Sequence, residues 1–251
     1  GLLGSGLVAL EILVPDTSGN VARDTLTFAL PEAVLAKTLT SGLPVGSLPA
    51  QALALCPNDN RLYVTVGAHV WVLDPESLRT IQLVPPIGIT TEILARLLCV
   101  PGDPFVYITG AGRLKRFDRG TLTWATNISN SFGSVGIALS RADPDLLYEG
   151  EKISATIGVL SRSQQTRRQL LSFAPVQTNI HDIVVLPGDA KIYANYGNYV
   201  GIWAIDPVQD SVLKRIRVGG PTFDGFAQDM VLSANSQRLY AAVTDGIPSA
   251  V

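Results

Sequence analysis

No apolar run of about 18 residues, the length a bilayer-spanning helix needs, occurs in this 251-residue chain. Even the apolar N-terminus, "GLLGSGLVALEILV", is interrupted by Glu11. Charge is scarce as well: 16% of residues are charged and the net charge is −2. Without a basic stripe, electrostatic capture of nucleic acid or an anionic membrane is excluded as the main activity. Two histidines, His69 and His181, and two cysteines, Cys56 and Cys99, are too few and too scattered for a zinc centre. The sequence has no G-x-S-x-G nucleophile elbow, although "FGSVG" (132–136) comes within one residue of it. P-loop, H-E-x-x-H and dinucleotide-binding glycine patterns are missing too, which disfavours nucleotide chemistry. The sole methionine is Met230, so the chain reads as a processed or trimmed product, as after removal of a signal peptide. One glycosylation sequon, Asn127–Ser129, leans the same way, toward a secreted or cell-surface glycoprotein.

What the chain has in quantity is turn residues, 23 Gly and 16 Pro, dispersed along its length, which favours many short strands. It also repeats. "NRLYVTV", "PFVYITG", "DLLYEGE", "AKIYANY" and "QRLYAAV" are short strands centred on Tyr63, Tyr107, Tyr148, Tyr193 and Tyr240, at steps of 44, 41, 45 and 47. After four of them comes an apolar strand ending in a polar turn: "VWVLDP" (70–75), "LKRFDR" (114–119), "IGVLSR" (157–162) and "GIWAID" (201–206). A closing strand follows, as in "RTIQLV" (79–84) and "LKRIRV" (213–218). Four strands in about 45 residues is one propeller blade.

The ends look complementary. "TLTFALPEAVLAKTLTSG" (25–42) matches the third and fourth strands of a blade, and "QDMVLSANSQRLYAAV" supplies a first and second. Pairing them closes one blade without an open edge. The expectation is therefore an all-β, five-bladed propeller over 25–251, preceded by an arm or extra edge strand over 1–24. If residues 7–14 belong to a separate blade, the number is six. Each tyrosine is expected to pack its ring between blades while its hydroxyl finds a polar partner. Cys56 and Cys99 either form one disulfide or are two buried thiols. They differ by one place along their strands, which argues against pairing.

These markers resemble the YVTN-type β-propeller repeat, and "NRLYVTVGAHVWVLDPESLRTIQL" carries the resemblance best. Propellers of this broad kind include lactonase-like hydrolases, quinoprotein subunits, surface-layer proteins and binding modules. A lactonase-like relative would imply acidic and amide ligands for a divalent cation at the mouth of the central channel. No catalytic motif of the family transfers to this sequence residue by residue, and fold alone does not give activity.

Two places could hold a site. Aligning "AQALALCP", "LARLLCVP", "SVGIALS", "IHDIVVLP" and "AQDMVLSA" as first strands puts Gln51, Arg96, His181, Asp182, Gln228 and Asp229 at one rim of an apolar channel. Asp182 and Asp229 fall in consecutive blades. They could cap strand ends, ligate Ca2+ with Gln228, or share acid–base work with His181 while Arg96 holds an anion. The second place is the loop pair "NYGNYVG" (195–201) and "GGPTFDGF" (219–226). There Tyr196, Tyr199, Phe223 and Phe226, with Asn195, Asn198 and Asp224, suit glycan or protein recognition or simply pack the loops. With no complete catalytic set visible, the reading is a module recognising a small molecule, glycan or protein. The alternatives are a lactonase-like hydrolase or isomerase, calcium-assisted, at the channel mouth, and a purely structural surface domain.

Overall fold

In the computed structural model the chain divides into two compact units, Gly1–Leu43 and Pro44–Val251. The structure describes residues 6–15, 21–30, 50–56, 59–86, 94–110, 113–128, 134–151, 156–172, 180–196, 201–217 and 226–244. Regular structure among them is all β except for one 3-10 turn, Pro187–Asp189. The first unit contributes β1 (Gly6–Pro15) and β2 (Val21–Leu30), an antiparallel hairpin running in unbroken register from Gly6↔Leu30 to Pro15↔Val21.

The second unit repeats one device. β3 (Ala50–Cys56), β4 (Arg61–Val66), β5 (His69–Leu73) and β6 (Thr80–Val84) form an antiparallel meander in that order. β7 (Leu94–Cys99), β8 (Phe105–Gly110), β9 (Lys115–Asp118) and β10 (Thr123–Ala125) form the next. The third is β11 (Ser134–Leu139), β12 (Leu146–Glu151), β13 (Thr156–Ser161) and β14 (Thr166–Ser172). The fourth is β15 (Ile180–Val185), β16 (Ile192–Tyr196), β17 (Gly201–Asp206) and β18 (Ser211–Ile216). β19 (Phe226–Leu232) and β20 (Leu239–Thr244) pair as two strands. Every tyrosine strand of the repeat is the second of its sheet.

The polar residue at or just past the end of each third strand makes the turn into the fourth. Asp118 Oδ1 accepts from the backbone N–H groups of Gly120 and Thr121, and Asp206 Oδ1 from Val208 and Gln209. Asp74 does the same for Ser77, and the Ser161 hydroxyl for Gln164. Four residues after each of these, Leu78, Leu122, Gln165 and Asp210 take up a left-handed backbone, with φ of 54°, 55°, 53° and 49°. One side-chain-capped turn is thus reused four times.

A lone four-stranded sheet has two faces to bury, and here consecutive sheets bury them against each other. Tyr63, Val70, Leu94, Val106 and Phe117 join the first sheet to the second. Tyr107, Leu114, Ile137, Leu147 and Leu160 join the second to the third. Tyr148, Ile157, Ile183, Ile192 and Trp203 join the third to the fourth. Met230 and Ile202, with Val184, Tyr193 and Leu239, join the fourth to β19–β20. The first strands pack in succession, β3 on β7, β7 on β11, β11 on β15 and β15 on β19. This is a β-propeller-like all-β fold.

The cysteines correct one expectation. Cys56 and Cys99 form a disulfide, with Cα atoms 5.5 Å apart. The one-place offset does not prevent it, because each cysteine ends its strand and the two strands are neighbours in the succession. That Cα separation lies inside the range a disulfide tolerates.

Candidate functional site

All five first strands carry a register shift at the same point: between Ala50 and Ala52, Leu94 and Arg96, Ser134 and Ile137, Ile180 and Asp182, and Ala227 and Asp229. The residues slipped over are Gln51, Ala95, Val135 with Gly136, His181 and Gln228. A β-bulge inserts an unpaired residue and re-aims the side chains beside it, which is why bulges recur near functional sites. Hydroxyls of the second strands pin some of these bulges. Thr65 Oγ1 accepts from the Ala52 N–H at 3.0 Å, and Thr109 Oγ1 donates to the Val135 carbonyl at 2.8 Å.

The bulges bring together four of the residues singled out in the sequence. Arg96 Nη2 on β7 lies 2.6 Å from Asp229 Oδ1 on β19, although these two strands are not neighbours in the succession. Asp182 on β15 accepts from the Met230 N–H of β19 at 2.6 Å and from the Ile183 N–H at 3.0 Å. Burial, together with the charge of Asp229, raises the Asp182 carboxyl to about 6; Arg96 and the two backbone donors oppose the rise. His181 is held below its ordinary value, first by burial and then by the Arg96 guanidinium. An imidazole that resists protonation and a carboxyl that takes up a proton more readily than a free one thus sit beside the Arg96–Asp229 ion pair.

The other sequence candidates are placed differently. Gln51 is exposed on β3. Gln228 and Phe226 lie in β19 and Tyr196 ends β16, paired with Ile180 and Gly201. Tyr199, Phe223, Asp224 and Asn198 lie outside the described residues. Asn195, which the sequence puts in the aromatic loop patch, is fully buried opposite Asp182. His69 opens β5 opposite Val66. Asn127 is half-buried just beyond β10. Two carboxylates, one held by backbone amides and the other by a guanidinium, do not by themselves make a calcium site. Among the described residues no group of three His, Cys, Asp or Glu side chains is gathered as a metal would need.

Beyond the bulges the first strands enclose a cavity of about 710 Å3, walled by Leu98, Leu139, Val184 and Val231 among others. It leads away from the charged end, toward the turns between first and second strands.

The structure also shows a feature that the sequence analysis does not single out. The Tyr63 hydroxyl donates to Asp59 at 2.6 Å, and Tyr107 to Asp103 at 2.9 Å. An arginine after the third strand of the next sheet completes each pair: Arg119 lies 4.0 Å from Asp59, and Arg162 bonds Asp103. Burial and the neighbouring carboxylate push all three buried tyrosine hydroxyls, including that of Tyr148, far above their ordinary range. The fourth sheet has Pro207 in the arginine's place. There Asp189 reaches back to the third sheet, accepting from Tyr148 at 2.7 Å and Ser140 at 2.6 Å. The available signal was an Asp four residues before Tyr63, Tyr107 and Tyr193.

No protein-family model and no curated protein matches this sequence. Among solved structures the chain is similar to one titled Kuenenia stuttgartiensis Hydrazine Synthase, with a TM-score of 0.65 and 14% identity. The match covers 83% of this chain and 59% of that one, so the chain spans little more than half of its length. At that identity the likeness is one of fold.

Proposed function

We propose that the protein is a recognition module, secreted or displayed at a cell surface, which binds a small polar ligand or a glycan at the bulged ends of its first strands. The observation that carries this reading is the meeting of Arg96 with Asp229 beside Asp182 and His181. A cation, carboxylates and an imidazole converging at the bulged ends of the first strands are what orients a small ligand. Asp229 is 62% exposed, so a ligand carboxylate or hydroxyl can replace it on Arg96 at little cost. The Cys56–Cys99 disulfide supports an oxidising compartment. For the fold we propose a YVTN-type propeller of five blades, with strands of the N-terminal segment completing the β19–β20 blade, on the strength of the sequence repeat.

The test is a saturation-transfer screen with mono- and disaccharides and small hydroxy- and amino acids, repeated on Arg96→Met and Asp229→Asn. Loss of a hit in Arg96→Met, with the hit kept or strengthened in Asp229→Asn, supports the reading. A hit indifferent to both, or none at all, counts against it. One observation favours a second reading, a hydrolase or isomerase at the same mouth: an Asp182 carboxyl near 6 suits a general acid or base. That reading expects lactone hydrolysis to fall by about two orders of magnitude or more in Asp182→Asn.

A further inference from the structure

The cavity lies toward the far ends of the first strands, away from the bulges, and takes no part in the recognition proposed above. Its rim is built from the residues just past β7, β11, β15 and β19, namely Pro101, Arg141, Pro187 and Ala234. These occupy one position of the repeat, in "CVPG", "LSRA", "VLPG" and "LSAN". Proline and alanine there serve the turn, whereas nothing in the turn calls for a guanidinium. Arg141 is held by its backbone: its N–H donates to Asp189 Oδ1 at 2.6 Å. Its side chain is exposed and has no ion-pair partner among the described residues. The Asp189 carboxylate does not serve as one, since Ser140, Tyr148 and the N–H groups of Arg141 and Ala142 already occupy it. On the same rim the Ser236 hydroxyl has no hydrogen bond among the described residues. Inward of this rim the walls are aliphatic, and Val231 is left 61% exposed on them.

We infer that this end of the cavity is a binding site for an organic anion, whose apolar body lies along Leu98, Leu139 and Val231 and whose carboxylate takes Arg141 and Ser236. The volume, about 710 Å3, is within the range of roughly 300–1,000 Å3 that small-molecule pockets occupy. A guanidinium offers two parallel N–H donors to a carboxylate, and the Ser236 hydroxyl, lining the same cavity, offers a third. Removal of an alkyl chain from water supplies the remaining driving force.

Decanoate is the probe, titrated by calorimetry into the whole chain, with decyltrimethylammonium as the control of opposite charge. Saturable decanoate binding is expected, about tenfold or more tighter than the cation. Arg141→Gln, at an exposed position, should weaken decanoate about tenfold and remove the preference for the anion. Val231→Trp should block both ligands, because it fills the cavity from an exposed wall position. Asp229→Asn, at the bulged ends of the first strands, should leave decanoate affinity unchanged, so failure here and failure of the recognition reading are told apart. No binding at millimolar decanoate overturns the inference, as does equal affinity for the cation or indifference to Arg141→Gln. If Val231→Trp does not fold, Arg141→Gln decides alone.

Discussion

Asp103 illustrates how much one short side chain carries when three donors converge on it. Oδ1 accepts from the Phe105 N–H at 2.9 Å, and Oδ2 from the Tyr107 hydroxyl at 2.9 Å and from Arg162 of the next sheet. Removing the carboxylate strands a buried hydroxyl and a guanidinium that is 17% exposed. Asp103→Ala should cost about 3 kcal/mol or more, against about 1–2 kcal/mol for Tyr107→Phe, measured by urea denaturation. Equal costs would mean that the arginine contributes nothing. The tyrosine was legible in the sequence because a large ring recurring every forty-odd residues marks itself. Its partners were not, because the arginine belongs to a different repeat and in the fourth sheet proline replaces it. Asp182 gives a prediction in pH. Its folded-state value, about 6, lies above the 3.8 of a free carboxyl, so the native state binds the proton more tightly. Its contribution is therefore present at low pH and is lost as pH rises from about 4 through 6, by roughly 3 kcal/mol in all. The stability of Asp182→Asn relative to the parent should rise over that window. A difference independent of pH would show that Asp182 titrates normally.

At the scale of strands and sheets, the disulfide ties the first strands of two consecutive sheets across 43 residues of chain. A loop of that size stabilises by about 4 kcal/mol in the chain-entropy account, so reduction should lower the unfolding free energy by that order and the guanidinium midpoint with it. An unchanged midpoint would argue that the two sheets are held by packing alone. Four sheets and the tyrosine strands within them were readable because period-2 patterning, turn residues and the repeat agree. The bulges were not readable as bulges. Residues such as Gln51-Ala52 and His181-Asp182 could be aligned, but a register slip is a property of two strands, and the partner strand carries no mark of it. The buried position of Asn195 escaped notice for the same reason, since it is set by pairing with Asp182. Blade closure makes its own prediction. If the N-terminal strands complete the β19–β20 blade, the alternate amides of β20 that do not face β19 should be protected from hydrogen exchange. Exchange of those amides at unprotected rates would sink the five-blade proposal.

For the molecule as a whole, the question is whether consecutive sheets unfold together. Each shared apolar cluster couples one sheet to the next, and aspartate–arginine contacts run along the first two of these boundaries. The Arg96–Asp229 pair, with Asp229 mostly in water, adds about 1 kcal/mol or less, so its loss should tell on ligand binding far more than on folding. Trp71, Trp124 and Trp203 lie in the first, second and fourth sheets, so each can report on a different part of the stack. In variants retaining one tryptophan apiece, the three fluorescence midpoints should coincide with one another and with the loss of strand signal in circular dichroism. Arg162→Met removes the ionic tie between the second and third sheets but leaves their apolar contact and the disulfide between the first and second. The Trp71 and Trp124 midpoints should then stay together while that of Trp203 separates from them. Coincidence of all three in Arg162→Met would mean that apolar stacking alone makes the second unit cooperative.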